Sequence, residues 1–182
     1  MAQTAPDTVI VAEDEAAVYL QATTMAGWGP RGQPLLVRCD PSRGKTNFYG
    51  TLNLHTGQAV VTQADSMQAE ATAKHLRAIL SAHPDVPILL LWDRAPWQRG
   101  PAMREVLAAN PRLEIMVLPT AAPDLNPQEQ VWQATRRAVS HTHSQPRLPE
   151  LAQRFEQHLH ATTFQSSFLT KYGWTLVCPR ST

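Results

Sequence analysis

Cysteine is scarce: only Cys39 and Cys178 occur in 182 residues, far apart and outside any metal-ligand spacing. That excludes a disulfide scaffold and a thiolate zinc site, and fits a reducing cytoplasm. Long hydrophobic runs are also missing. The most concentrated one, residues 88–92, is far short of the roughly 20 residues that cross a bilayer, so no membrane partner is expected. Residues 1–8 are polar and lack the apolar stretch of a secretion signal. No internal repeat or low-complexity linker divides the chain. A formal net charge of +1 removes any global polybasic signature for nucleic acid. What remains is a chain of ordinary apolar content, long enough for one real core. It is read as a single domain over 1–182, with a loose N-terminus (1–7) and an aromatic tail (164–182).

Charge is unevenly placed. Residues 1–93 hold six Lys/Arg against nine Asp/Glu, giving −3, and residues 94–182 hold ten against six, giving +4. Arg far outnumbers Lys, which suits bidentate phosphate contacts.

Residues 8–12 form a β-branched apolar run ending in Glu13-Asp14-Glu15. Strand alternation puts Asp14 on the face of Ile10 and Ala12 and turns Glu13 and Glu15 the other way. Asp14 is therefore the acid expected to work with groups on neighbouring elements; a solvated acidic strand end is the alternative. Residues 34–38 suggest a further strand. Residues 47–54 alternate, with Phe48, Leu52 and Leu54 on one face, and turn at Thr56-Gly57 into a returning strand over 58–62, an antiparallel hairpin. Asp65 opens a helix with Gln68 as capping partner and Ala69, Ala73, Leu76 and Leu80 as its apolar face. Residues 88–92 read as a strand covered on both faces, closed by Asp93. A pairing of Asp93 with Arg94 or Arg99 is the alternative to a functional role.

A short helix follows over 100–110, then a strand over 113–118. Pro119 and Pro123 end it, and Asn126 caps a helix whose first residue is Pro127 and third is Glu129. That spacing sets Glu129 beside the strand ends, where open α/β sheets bind ligands; a capping box returning Glu129 to the Asn126 backbone is the alternative. Val131, Trp132, Ala134, Ala138 and Val139 form that helix's packing face. Arg136 and Arg137 either meet a phosphate backbone or line a solvated face. His141 and His143 at its end are accounted for by the helix dipole. Leu148, Leu151, Phe155, Leu159 and Thr162 trace a last helix, and Phe164, Phe168, Tyr172 and Trp174 mark the tail.

The order of elements gives an α/β fold: a mixed sheet, antiparallel hairpin plus parallel strands, with helices on both faces. Clustered Asp14, Asp93 and Glu129 would repel unless cations lay between them. Mg²⁺ or Mn²⁺, as two ions stabilising the attacking and leaving oxygens of an in-line displacement, is the natural match, and phosphodiester cleavage or transfer the reaction class.

The segments Glu13-Asp14-Glu15, Gly27-Trp28-Gly29-Pro30-Arg31-Gly32, Asn47-Phe48-Tyr49-Gly50, Leu91-Trp92-Asp93-Arg94-Ala95-Pro96 and Pro123-Asp124-Leu125-Asn126-Pro127-Gln128-Glu129-Gln130-Val131-Trp132 resemble, in order, the catalytic domain of DDE transposases. The bacterial insertion-sequence six-thirty branch of the mariner-type superfamily is the closest in kind. Thirty-five residues separate Asp93 from Glu129, in keeping with that superfamily. Arg94, Arg99, Arg136 and Arg137 are expected near DNA, and the resemblance implies an RNase H-like fold in which Asp14, Asp93 and Glu129 hold two divalent ions. It implies cleavage at transposon ends in double-stranded DNA, then attack of the freed 3′-hydroxyl on target DNA at TA dinucleotides, in a bacterial, nucleoid-associated setting. A non-catalytic fragment regulating a full-length transposase, or a nuclease without strand transfer, are the other readings. Where many relatives have Asn after the second Asp and His four residues later, this chain has Arg94 and Gln98. Relatives carry N-terminal helix-turn-helix modules, and this chain begins almost at the first catalytic strand. Weak, salt-sensitive, non-specific DNA binding is expected, with a homodimer or a partner supplying those modules.

Overall fold

The computed structural model describes residues 7–23, 29–33, 44–93, 95–119 and 125–164. The strand expected at 34–38, Arg94, the turn at 120–124 and the tail aromatics Phe168, Tyr172 and Trp174 lie outside them.

Five strands form one sheet in the order β3-β2-β1-β4-β5: β1 Val9–Tyr19, β2 Lys45–Asn53, β3 Ala59–Ala64, β4 Ile88–Trp92 and β5 Leu113–Val117. The first three are antiparallel neighbours, and β4 and β5 run parallel to β1. The mixed sheet is as expected from the order of elements. Alternation in β2 splits its side chains between two cores: Phe48 and Leu52 join one, while Thr51 faces the other side. Helices α1 (Ala69–Ala82) and α2 (Pro101–Ala109) cover one face through Leu76, Ile79, Met103 and Val106. Helices α3 (Pro127–Thr135) and α4 (Leu148–Ala161) cover the other through Val131, Trp132, Leu151 and Phe155. Both faces of β1 and β4 are thereby buried, which is why residues 88–92 are apolar without a break.

Three sequence expectations are corrected. β1 does not end at Ala12 but runs through all three acids to Tyr19, because β2 pairs with it from Val11 to Tyr19. Helix α1 starts at Ala69 rather than Asp65, and Gln68 makes no side-chain cap; its backbone N–H goes instead to the Tyr49 hydroxyl, 3.2 Å away. In α3 the backbone passes into a π turn over Arg136–Ser140. The wider turn shifts the helical phase, so Ala138 is exposed and Ser140 is buried, the reverse of a straight α-helical projection.

Beneath α1 the imidazole of His75 is fully buried between two hydroxyls, Thr51 Oγ1 2.7 Å from Nε2 and Thr62 Oγ1 2.9 Å from Nδ1. Burial lowers its pKa to about 3, so it is neutral in the fold. At the far end of α1, the Arg112 guanidinium donates to the carbonyls of Leu80, His83 and Val86, satisfying acceptors that a helix end leaves open.

Candidate metal centre

Strand β1 outlasts β4. Their parallel pairing ends at Ala12 opposite Leu91, and β4 itself ends at Trp92. Continued two residues, that register sets Asp14 beside Asp93, at the carboxyl ends of adjacent parallel strands where the sheet opens. Asp14, Glu15 and Asp93 each offer an oxygen within 4.8 Å of the other two. Opposite donors on one octahedral Mg²⁺ stand about 4.2 Å apart, twice the usual bond length, so the three need little adjustment to share a cation.

Glu15 was not singled out by alternation, which turns it to the other face from Asp14. With β4 ended, its longer arm reaches round the edge of β1 to the same point. Glu129 is not part of this tightest group. It stands on α3 close enough that its charge, after burial itself, contributes most to holding Asp14 protonated. Asp93 is fixed by two bonds to Oδ1, from the Ala95 backbone N–H at 3.0 Å and from Gln98 Nε2 at 2.5 Å, and Gln98 Oε1 in turn accepts from the same Ala95 N–H at 3.1 Å. Gln98, noted in the sequence only as a departure, is thus an orienting partner of Asp93. Among the described residues Asp93 has no ion pair, and Arg99 is exposed. Arg136 is half-buried and Arg137 exposed at the π turn.

The start of helix α3 is pinned over the site by Asn126. Asn126 accepts from the Gln128 backbone N–H at 3.1 Å, capping the helix, and its amide donates 2.9 Å to the Glu13 carbonyl of β1. The Glu129 arm of a capping box is not formed among the described residues, which leaves that carboxylate available to face the strands. Close approach of α3 depends on Gly50, which pairs with Asp14 across β1 and β2. A Cβ there would collide with the Trp132 ring and lie 2.6 Å from Gln128 Nε2.

Electrostatically the site is loaded against anions. Asp14 is only 9% exposed, and burial, then Glu129, then Glu15, raise its pKa to about 8. Its Oδ2 is buried without a hydrogen-bond partner. Glu13 is wholly buried, and burial followed by the charges of Glu15, Asp14 and Asp93 holds it well above the carboxylate range. The Trp92 indole softens that rise, yet neither Glu13 oxygen nor Trp92 Nε1 has a hydrogen-bond partner. Crowded, partly unsatisfied carboxylates fit a divalent cation, whose charge would reverse this unfavourable balance.

A family model for DDE superfamily endonucleases matches residues 9–152. The chain belongs to this family. Among solved structures, the mariner Mos1 paired-end complex with Mg superposes with a TM-score of 0.69 at 16% identity, covering 93% of this chain and 54% of that one. The Mos1 transposase paired-end complex with left transposon end gives 0.64 at 17%, covering 93% and 52%. The Mos1 transposase catalytic domain with Raltegravir and Mg gives 0.63 at 14%, covering 93% and 81%. These likenesses bear out the RNase H-like mixed sheet of the DDE endonuclease fold. The chain spans about half the length of the Mos1 chains in the paired-end complexes. Among curated proteins none matches the sequence. No helix among the described residues is long and apolar enough to cross a membrane.

Proposed function

We propose that this DDE endonuclease chain is a transposase catalytic domain that cuts double-stranded DNA at transposon ends and joins the freed 3′-hydroxyl to target DNA. Asp14, Asp93 and Glu129 are its catalytic carboxylates, and Mg²⁺ or Mn²⁺, as two ions, its cofactor. The observation that carries this reading is the meeting of Asp14, Glu15 and Asp93 oxygens within 4.8 Å at the carboxyl ends of β1 and β4, with α3 placing Glu129 within range of Asp14.

Bound divalent cations supply Lewis-acid stabilisation of the attacking and leaving oxygens. The protein's own share is positional. Gln98 holds the Asp93 carboxylate, Asn126 holds the start of α3 against β1, and Gly50 lets that helix come close enough for Glu129 to act. Water is the first nucleophile and the 3′-hydroxyl the second, each displacing an oxygen at phosphorus, so no covalent protein–DNA intermediate arises. Arg94, Arg99, Arg136 and Arg137 are proposed to meet backbone phosphates, and TA dinucleotides to be the target.

Glu129→Gln tests the assignment, because it keeps the size of the side chain and removes its charge. Nicking of supercoiled plasmid with Mn²⁺ is expected to vanish while the melting temperature in EDTA is equal to or above wild type, because a like charge beside Asp14 is removed. Intact nicking by the variant would remove Glu129 from the chemistry. Joining of a labelled 3′-hydroxyl end to plasmid separates a transposase domain from a simple nuclease.

A further inference from the structure

Gln128 occupies a position unsuited to its chemistry. It is fully buried, and neither its Nε2 nor its Oε1 has a hydrogen-bond partner. An amide carries two donors and two lone pairs, and leaving such a group unsatisfied in an interior is destabilising. Its backbone N–H, not its side chain, is what Asn126 caps, so the cap gives the amide no occupation.

The amide's location is fixed by Gly50: Nε2 lies 2.6 Å from where a Cβ on Gly50 would stand. Gly50 is the cross-strand partner of Asp14, and directly opposed Cβ atoms in an antiparallel pair are about 5 Å apart on the same face. The Gln128 amide, together with the Trp132 ring, therefore fills the space that a side chain opposite Asp14 would take. Asp14 Oδ2 is buried there without a partner. The groups acting on Asp14 are Glu129 from α3, Glu15 from β1 and Asp93 after β4, all of them acids, with the Glu15 backbone N–H the one favourable contact. Trp132 Nε1 and Thr135 Oγ1 are also unpartnered; the Trp132 ring meets the same Gly50 position through Cη2 and Cζ2, while Thr135 lies two turns further along α3.

We propose that Gln128 is a positioning residue for Asp14, its amide N–H turning to donate to Oδ2 when the carboxylate binds a divalent cation and so fixing which oxygen faces the ion. The assignment rests on the metal-binding reading above. Metal-bound carboxylates are themselves hydrogen-bonded, and loss of such a partner typically weakens binding about 10- to 100-fold. A purely packing role would behave differently, since an apolar side chain of similar volume removes two unsatisfied atoms from the interior.

The test is Gln128→Met beside wild type and Asp14→Asn, with Mn²⁺ alone titrated by calorimetry and thermal melting followed in EDTA. Gln128→Leu repeats it should methionine not be accommodated. The expected result is an Mn²⁺ affinity about 10- to 100-fold weaker in the Gln128 variant, with a melting temperature in EDTA equal to or above wild type, and no binding by Asp14→Asn. Unchanged Mn²⁺ affinity in a folded variant overturns the proposal while leaving the metal site standing. Affinity and melting temperature falling together overturn it in favour of packing. Absence of Mn²⁺ binding by the wild type overturns the metal reading and this inference with it.

Discussion

Asp93 and His75 are two polar side chains held in place for opposite ends. Asp93 is held ready by the Gln98 amide, and the grip has a measurable worth. Gln98→Ala is expected to weaken Mn²⁺ binding about tenfold, within the range for partners of metal ligands, with little change in melting temperature; calorimetry and a melting curve check both. His75 is held neutral by burial between Thr51 and Thr62. Its folded pKa of about 3 lies below the ordinary 6.5, so the unfolded chain binds the extra proton between those values. The stability that this arrangement contributes is complete above pH 6.5 and is lost as pH falls toward 3, at up to about 1.4 kcal/mol per pH unit. His75→Gln should flatten that acid limb in urea titrations across the same range. The sequence disclosed Asp93, because an acid closing five apolar residues is conspicuous. It hid His75, whose neighbours come from two strands met only after folding, and Glu15, whose reach round the end of β4 depends on β4 being the shorter strand.

Elements were legible where one periodicity held throughout. The unbroken run at 88–92, the alternation at 47–54 and the Leu151-Phe155-Leu159 stripe each fixed a strand or helix and the face it buries. Legibility failed where tertiary pairing overrode composition. Three consecutive acids read as a strand end, yet β1 continues through them because β2 runs alongside. The π turn at Arg136–Ser140 leaves no sequence mark, and it turned Ala138 outward. The contact between α3 and the sheet was equally invisible, since a glycine at 50 announces nothing until Gln128 and Trp132 descend on it. Gly50→Ala is expected to lift α3, destabilising the fold by about 1–3 kcal/mol as an overpacked core does. It should also weaken Mn²⁺ binding by drawing Glu129 away from Asp14. Urea unfolding gives the first quantity and a metal titration the second; a loss of stability with full metal affinity would uncouple the helix from the site.

On the scale of the whole molecule, the acid cluster sets how stability responds to pH and metal. Asp14, with a folded pKa of about 8 against an ordinary 3.8, holds its proton in the fold and releases it when unfolded. Without metal, that contribution is present below pH 3.8 and is lost as pH rises toward 8, and Glu13 acts in the same direction. A cation bound to the ionised carboxylates opposes the loss by mass action. The melting temperature in EDTA should thus fall from pH 5 to pH 8, and saturating Mn²⁺ should raise it more at pH 8 than at pH 5. In Asp14→Asn both trends should shrink.

The strand that carries Asp14 is also the middle one of five, laced to β2 on one edge and to β4 on the other. It cannot come loose without the sheet parting. Amide deuteration along residues 10–14 should therefore be among the slowest in the chain, and slower still once Mn²⁺ raises the global stability. The sheet, rather than the ion, therefore sets the shape of the cradle.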